Sequence, residues 1–157
     1  MKIKLLVIGK TDKKTLESLI SEYEKRLRRY IKFELEVIPD IKLTKNLSVQ
    51  EQKDKEGEAI VSKLQPNDLV VLLDEHGKQF NSLTFSADLQ KKMNSGVKQV
   101  VYIVGGPYGF NEVLYGRAMQ KISLSKMTFS HQMVRLFFVE QLYRGFTILR
   151  NEPYHHQ

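Results

Sequence analysis

The sequence predicts an α/β fold in which helices flank a mostly parallel β-sheet. Leu69–Leu73 and Val100–Val104 are wholly apolar, and such runs are typical of strands that helices cover on both faces. Segments with strand periodicity alternate with segments of helical periodicity, which is the order that a parallel sheet requires. The prolines, at positions 39, 66, 107 and 153, all fall between these segments. We therefore expect a single domain over residues 1–157.

The first half of the chain is predicted to contain two strands and two helices. They are a strand at Lys2–Ile8, a helix at Leu16–Leu27, a strand at Phe33–Ile38 and a helix through Ala59–Leu64. Gly9 ends the first strand and Pro39 the second. A charged stretch from Lys42 to roughly Lys55 leads into the second helix.

The second half is predicted to contain three strands and three helices. The strands are Leu69–Leu73, Val100–Val104 and Ile122–Leu124, and the helices begin near Ser82, Asn111 and Gln132 and end near Met93, Ala118 and Arg150. Ser82 is interpreted as the N-cap of its helix, whose inner face would include Leu83, Phe85, Leu89 and Met93. Gly96 follows the end of that helix.

The last helix is apolar around nearly its whole circumference, from Met133 to Leu149. A helix with this pattern must be buried on all sides, whereas one sheet covers one side. A second copy of the chain would cover the other side, so the pattern favours a homodimer. The alternative is an ordinary central helix of a monomer.

Charge and cysteine content limit the classes of partner and site. Lys plus Arg number 25 against 18 Asp plus Glu, so the formal net charge is +7. Such a surplus favours nucleic acid as a partner, then an anionic membrane, although many proteins are simply basic. The absence of cysteine excludes disulfides, thiolate zinc sites and cysteine nucleophiles.

The pattern of apolar residues predicts a soluble, cytoplasmic protein. No run approaches the roughly 18 apolar residues of a membrane span. The apolar run at Met1–Gly9 is too short for a signal peptide and alternates like a strand.

Three loops are candidates for the chemistry, because ligands of open α/β sheets bind beyond the carboxyl ends of the strands. They are Asp74–Lys78, Gly105–Phe110 and Leu124–His131. The glycine-rich second loop matches neither a dinucleotide fingerprint nor a P-loop. It suits close approach to a neutral group such as adenosine, or it is only a tight turn with left-handed glycines. The main chain of the third could bind an adenine edge, or Ser130 could simply cap the next helix.

Acid–base candidates are few. The four histidines are His76, His131, His155 and His156, and they form no triad with serine and aspartate. The tail carrying Tyr154 and His155 is either a frayed end or a segment that stacks on a base and transfers a proton. No spacing of histidines and carboxylates completes a metal site, so no metal is expected.

At these loops the sequence resembles a known family. The motifs are Leu73–Lys78, Gly105–Gly109, Leu124–Phe129, His131–Arg135, Glu140–Arg144 and Pro153–His155, in this order. Together they are similar to the RlmH family, the ribosomal large-subunit pseudouridine N3-methyltransferases of the SPOUT superfamily. The similarity runs from the first strand to the last residue.

The resemblance implies a SPOUT-type fold with a C-terminal trefoil knot, a homodimer, and methylation of N3 of a pseudouridine in 23S rRNA within the ribosome. It implies an S-adenosylmethionine site at Leu73, Gly105, Leu124, Ser125, Lys126, Met127, Thr128 and Phe129. It implies catalytic or RNA-contacting roles for His131, Arg144, Tyr154 and His155.

These residue types suggest a mechanism that needs alignment and removal of one proton. His155 would accept the proton of N3, Arg144 would stabilise the negative charge on the uracil oxygens, and Tyr154 would stack on the base. Arg144 could instead be a cation that offsets the dipole of the last helix. Lys126 is equally consistent with a phosphate contact and with a solvated loop charge.

Two other functions remain open at this point. One is a related knotted methyltransferase that acts on tRNA, at a ribose hydroxyl for example. The other is a non-catalytic ribosome-binding factor that uses the basic surface alone.

Overall fold

The computed structural model describes residues 1–41 and 47–156, which form strands and helices in alternation. The strands are β1 (Lys2–Ile8), β2 (Lys32–Ile38), β3 (Leu69–Gln79), β4 (Gln99–Val104) and β5 (Gln120–Ser123). The helices are α1 (Lys14–Leu27), α2 (Val49–Val61), α3 (Ser82–Asn94), α4 (Glu112–Arg117) and α5 (His131–Leu149). The predicted α/β class is confirmed.

The five strands form one sheet in the order β2-β1-β4-β3-β5, and every neighbouring pair is parallel. Strand residues alternate between two apolar clusters, one on each face. One cluster joins the sheet to α1, α3 and α5, and the other joins it to α2 and α4. Because helices cover both faces, the two central apolar runs are buried as their composition predicts.

The second helix begins earlier than the sequence pattern indicates. α2 starts at Val49, inside the predicted charged stretch, because Ser48 and Glu51 form a capping box. The Ser48 Oγ accepts from the Glu51 N–H at 3.2 Å, and the Glu51 carboxylate accepts from the Ser48 N–H at 2.7 Å. The inward side of this helix includes the charged Glu56 as well as Gly57 and Ile60, so its apolar period is hidden in the sequence. Residues 42–46 of the predicted charged stretch lie outside the described residues.

Two expectations for the third helix are wrong. Its N-cap is Asn81 rather than Ser82, and the Asn81 carboxamide accepts from the Thr84 N–H at 2.8 Å. Leu83 is 43% exposed and does not belong to the inner face. Two positions along a helix are separated by about 200°, so Leu83 points away from the buried Phe85.

The edge strand and its neighbour also differ from the expectation. β5 covers Gln120–Ser123, so Leu124 lies beyond the strand. β3 continues to Gln79 through an irregularity between Leu73 and Lys78, and both of these residues pair with Ile122. The extension follows from pairing with β5, a long-range contact that local periodicity does not record.

The last helix is packed by more of its own chain than the sequence argument assumed. α1 and α3 flank α5, and Phe138, Val139, Leu142 and Phe146 are buried between them and the sheet. Met133 and Phe137 are each 38% exposed, so an apolar strip stays uncovered within one chain. Within residues 1–41 and 47–156, every helix is too short or too polar to cross a membrane.

A buried arginine fastens α5 to the sheet. The Arg135 side chain is fully buried, and its guanidinium donates to the Ile8 oxygen at 2.6 Å and to the Gly9 oxygen at 2.9 Å. It also donates to the Thr11 Oγ1 at 3.2 Å and to the His131 oxygen at 3.3 Å. Burial lowers the pKa of Arg135, and Asp12 and Asp40 partly offset this effect. Four acceptors thus hold the cation where β1 ends and α5 begins.

Replacing this arginine should destabilise the fold. Arg135→Ala leaves buried carbonyl oxygens without donors and opens a cavity, so the free energy of unfolding should fall by about 3–5 kcal/mol. Urea denaturation followed by circular dichroism measures the change. Arg29→Ala, at an exposed position of the chain, is the matched control and should change stability by less than about 0.5 kcal/mol. Equal stabilities for the two variants would contradict this role of Arg135.

Candidate active site

A cleft of about 640 Å³ lies at the carboxyl ends of β3, β4 and β5. Its volume is typical of small-molecule sites, and the three segments that the sequence singles out all contribute to it. The first of them, Asp74–Lys78, was predicted to be a loop but is part of β3, because it pairs with β5. Predicted cofactor residues in its wall are Leu73, Gly105, Leu124, Ser125, Met127, Thr128 and Phe129. Lys126 is the one predicted cofactor residue that is not part of the described lining.

The loop from Leu124 to Ser130 presents its main chain rather than a set of charges. Among the described residues, the main chain of Lys126–Phe129 forms one hydrogen bond, from the Met127 N–H to the Ser125 Oγ at 2.9 Å. Its other donors and acceptors remain available to a ligand. Ser130 caps α5 by accepting from the Met133 N–H at 3.2 Å. The capping role of Ser130 is therefore confirmed. The preceding segment has free main-chain groups that suit hydrogen bonds with the edge of a base such as adenine.

The glycine loop after β4 packs closely against the side chains of Glu56 and Phe110. Gly109 has a φ of 79°, and its N–H donates to the Gly106 oxygen at 3.2 Å, so the predicted tight turn is present. A Cβ on Gly106 would come within 2.4 Å of the buried Glu56 carboxylate. A Cβ on Gly105 would come within 3.0 Å of the Phe110 ring. The loop therefore turns backbone toward the cleft.

Gly77 allows β3 to run directly against β5. A Cβ at this position would lie 2.6 Å from the main-chain carbon and nitrogen of Ile122. Since Ile122 directly precedes the segment Ser123–Phe129, the closeness of Gly77 to β5 sets where the third loop starts. Backbone atoms cannot yield as a flexible side chain does, so only glycine fits.

Lys53 and Tyr115 line the cleft although they lie outside the segments that the sequence singled out, and Asp74 lines it although this residue of the first candidate segment was assigned no role of its own. The Tyr115 hydroxyl donates to the Asp74 Oδ2 at 2.6 Å, and the His76 N–H donates to the Asp74 Oδ1 at 2.8 Å. Burial, followed by the hydrogen bond to Asp74, raises the pKa of Tyr115 to about 12. The position of Asp74, directly after a buried strand, was a usable signal. Lys53 belongs to α2, and nothing in its local sequence links it to the cleft.

The four predicted catalytic residues do not meet within one chain. His131 lines the cleft at the first position of α5, whereas Arg144, Tyr154 and His155 lie near its other end. Thirteen helical positions separate His131 from Arg144, which corresponds to about 20 Å at the helical rise. The chain therefore presents a cleft at one end of α5 and a polar cluster at the other.

Glu140 organises the cluster at the far end of α5. One of its carboxylate oxygens accepts from the Arg144 Nη2 at 2.6 Å and from the Tyr154 hydroxyl at 3.0 Å. Arg144 also lies 4.7 Å from the centre of the Tyr154 ring, and its Nη1 lies 3.5 Å from the His155 Nδ1. The tail is thus held against the helix, which argues against the frayed end that the sequence left open.

Tyr154 is held as a hydrogen-bond donor. Burial, followed by hydrogen bonds with Tyr23 and Glu140, raises the pKa of Tyr154. The two hydroxyls of Tyr23 and Tyr154 are 3.2 Å apart. A phenol in this setting keeps its proton at neutral pH and continues to donate to Glu140.

Within the described ranges, no group of three or more histidines, aspartates and glutamates could hold a metal ion.

Comparisons with known proteins identify the family of the chain. A family model described as "Predicted SPOUT methyltransferase" matches residues 1–155. The chain belongs to the SPOUT methyltransferase family. Full-length relatives named ribosomal RNA large subunit methyltransferase H are 68% identical in Flavobacterium johnsoniae, 66% in Christiangramia forsetii and 62% in Parabacteroides distasonis. Each match covers 100% of both chains, so this SPOUT methyltransferase belongs with them and the predicted family is confirmed.

Solved structures agree at the level of the fold. A probable methylase family protein from Haemophilus influenzae has a TM-score of 0.53 at 12% identity, over 95% of this chain and 66% of that one. A tRNA (m1G37) methyltransferase from Aquifex aeolicus has a TM-score of 0.53 at 18% identity, over 100% of this chain and 76% of that one. SPOUT membership implies an S-adenosylmethionine-type methyl donor, and a cleft walled by free main-chain groups and apolar side chains fits such a molecule.

Gly77 offers a direct test of how the cleft is built. Gly77→Ala would push β5 and the third loop away from β3, so donor affinity should fall at least about tenfold, with a loss of about 1–3 kcal/mol in stability. Calorimetric titration and thermal unfolding measure the two effects. Gly116→Ala is the control, because a Cβ there meets nothing within 4 Å. Normal donor affinity in folded Gly77→Ala would show that this packing does not shape the cleft.

Proposed function

We propose that this chain transfers a methyl group from S-adenosylmethionine to N3 of a pseudouridine in the 23S rRNA of the large ribosomal subunit. The observation that carries the proposal is the full-length 68% identity to a ribosomal RNA large subunit methyltransferase H, together with the cleft at the strand ends. The choice of pseudouridine and of N3 rests on the motif resemblance at the loops and the tail. The formal charge of +7 supports an RNA substrate.

The donor would bind between the three strand-end segments. S-adenosylmethionine supplies a methyl group that its sulfonium makes electrophilic. Leu73, Gly105 and the segment Leu124–Phe129 would hold it, largely through main-chain N–H and C=O groups. In this proposal Lys126, which is not part of the described lining, takes part through its main chain because it lies between the lining residues Ser125 and Met127. His131, at the rim, would contact the substrate or the donor.

The tail would supply the acid–base chemistry. N3 of pseudouridine carries a proton and lies between two carbonyl groups. Removal of that proton places negative charge on the two carbonyl oxygens. His155 accepts the proton and Arg144 stabilises the charge, and their 3.5 Å separation suits one edge of a base. Glu140 keeps Arg144 and Tyr154 in place, and the Tyr154 ring stacks on or hydrogen-bonds the base. The bonds to Glu140 favour this role for Arg144 over a simple helix-terminal charge.

A homodimer would bring the tail end of α5 in one copy next to the cleft end of α5 in the other copy. In a two-fold dimer whose α5 helices run antiparallel, the tail of one copy meets the cleft of the other. Met133, Phe137, Glu140 and Arg144 lie on one side of the helix, so a strip that is exposed at Met133 and Phe137 and partly buried at Glu140 and Arg144 leads from the cleft to the tail. The rings of Phe129 and Phe137 pack at 4.9 Å and add exposed apolar surface beside the rim. The second copy would cover this strip.

Three further features complete the proposal. The chain works as a single domain over residues 1–157, acts in the cytoplasm, and has its C-terminal part tucked into a trefoil knot. Membership of the SPOUT family supports the knot. The relatives' names, which refer to ribosomal RNA, support the location.

Methyl transfer to candidate RNAs tests the reaction. The wild-type chain should transfer radiolabelled methyl groups from S-adenosylmethionine to ribosomes lacking the modification, and the product should map to N3 of a pseudouridine. His155→Ala should lower turnover at least about 100-fold with unchanged donor affinity, because it removes the proton acceptor. His156→Ala is the matched control. Preferred methylation of tRNA would overturn the substrate, and near-normal turnover of His155→Ala would remove that residue from the mechanism.

Mixed dimers test whether the tail acts on the partner's cleft. Thr128→Trp fills the cleft and His155→Ala disables the tail, so each variant alone should be inactive. A mixed dimer purified through two tags keeps one intact cleft facing one intact tail, and should regain about half of the wild-type activity per dimer. An inactive mixed dimer would show that each tail serves its own chain, and a monomeric protein would contradict the arrangement outright.

A further inference from the structure

The cleft contains a carboxylate that the structure holds in a fixed orientation. Asp74 follows Leu73 at the end of the buried part of β3, and both residues line the cleft. Each of its oxygens accepts one hydrogen bond, from the Tyr115 hydroxyl at 2.6 Å and from the His76 N–H at 2.8 Å. Two donors in place keep this carboxylate from rotating freely.

Tyr115 is itself fixed from two sides. Its ring packs edge-on against Phe110 at 6.0 Å, and the Lys121 ammonium lies 5.3 Å from the ring centre. With the pKa of Tyr115 raised to about 12, the phenol keeps its proton and continues to donate to Asp74 at any physiological pH. The pair Asp74–Tyr115 is therefore a rigid part of the cleft wall.

The charge of the cleft contrasts with that of the whole chain. The chain has a formal charge of +7, yet the lining contains two carboxylates, Asp74 and Glu75, against one lysine, Lys53. Glu75 differs from Asp74 because its side chain is 64% exposed; its carboxylate lies 3.5 Å from the His76 Nε2. Solvent screens an exposed charge, so Asp74 dominates the field inside the cleft.

We propose that Asp74 makes the cleft select the positively charged methyl donor over its neutral demethylated product. The inference rests on the proposed function, in which the donor occupies this cleft. Transfer of the methyl group converts a sulfonium into an uncharged thioether, so the two molecules differ at the sulfur by one positive charge. A fixed negative charge in a partly desolvated cleft stabilises the cation and has no such effect on the thioether. Asp74 thereby favours donor binding before the reaction and product release after it.

The opposing interpretation is that Asp74 binds a group that both molecules carry, such as a ribose hydroxyl or the amino group of the methionine part. The two interpretations differ in what they predict for the ratio of donor affinity to product affinity. A contact with a shared group changes the affinities for donor and product equally, whereas a charge effect at the sulfur changes mainly the affinity for the donor.

Calorimetric titration of the purified full-length chain with S-adenosylmethionine and with S-adenosylhomocysteine measures this ratio. Asp74→Asn keeps the shape and removes the charge, so donor affinity should fall about tenfold while product affinity changes less than about twofold. Tyr115→Phe removes the donor that fixes Asp74 and should reduce the same ratio by a smaller factor. Glu75→Gln, the neighbouring exposed carboxylate, is the matched control and should leave the ratio unchanged.

Several outcomes would overturn the inference. They are an equal loss of both affinities in Asp74→Asn, no change in either, or the same shift in Glu75→Gln. If Asp74→Asn does not fold, an unchanged ratio in Tyr115→Phe has the same meaning. A wild-type chain that binds neither ligand would contradict the proposed function instead, so the two failures are distinguishable.

Discussion

The structure depends on a buried cation at the junction of its first strand and its last helix. Arg135 reaches from α5 to the oxygens of Ile8 and Gly9, and it holds the His131 oxygen one turn back along its own helix. Gln132 adds a second link, since its Nε2 donates to the Lys10 oxygen at 3.0 Å and its Oε1 accepts from the Asp12 N–H at 3.2 Å. These bonds fix the first turn of α5, and with it the rim where Ser130 and His131 border the cleft.

In the proposed function, the two chemical tasks of the chain lie at opposite ends of that helix. At the end near the sheet, main-chain groups and apolar side chains form a cleft for a small molecule, with Asp74 as its fixed charge. At the other end, Glu140 assembles Arg144, Tyr154 and His155 into a polar cluster. A distance of about 20 Å within one rigid helix cannot be closed by a loop movement. In the proposed homodimer, a second copy running antiparallel would place the tail of one chain at the cleft of the other.

Much of the fold was predictable because burial leaves a local signature. The wholly apolar strands and the caps at Asn111 and Ser130 are encoded by neighbouring residues. The early start of α2 and the extension of β3 depend on a capping box amid charged residues and on pairing with β5, so periodicity missed them. Within the site, the loops were predictable from topology, whereas the Asp74–Tyr115 pair spans 41 positions. The separation of His131 from the tail follows from helix length and was visible in the sequence.

In the proposed function, three segments at the strand ends bind the methyl donor mainly through their main chain. Hydrogen exchange of the full-length chain, read by mass spectrometry with and without S-adenosylhomocysteine, tests it most directly. The account predicts that amides of Gly105–Phe110 and Leu124–Ser130 become protected when the ligand binds, while amides near the exposed Arg29 do not change. Binding that protects neither segment, or that protects a different part of the molecule, would contradict it.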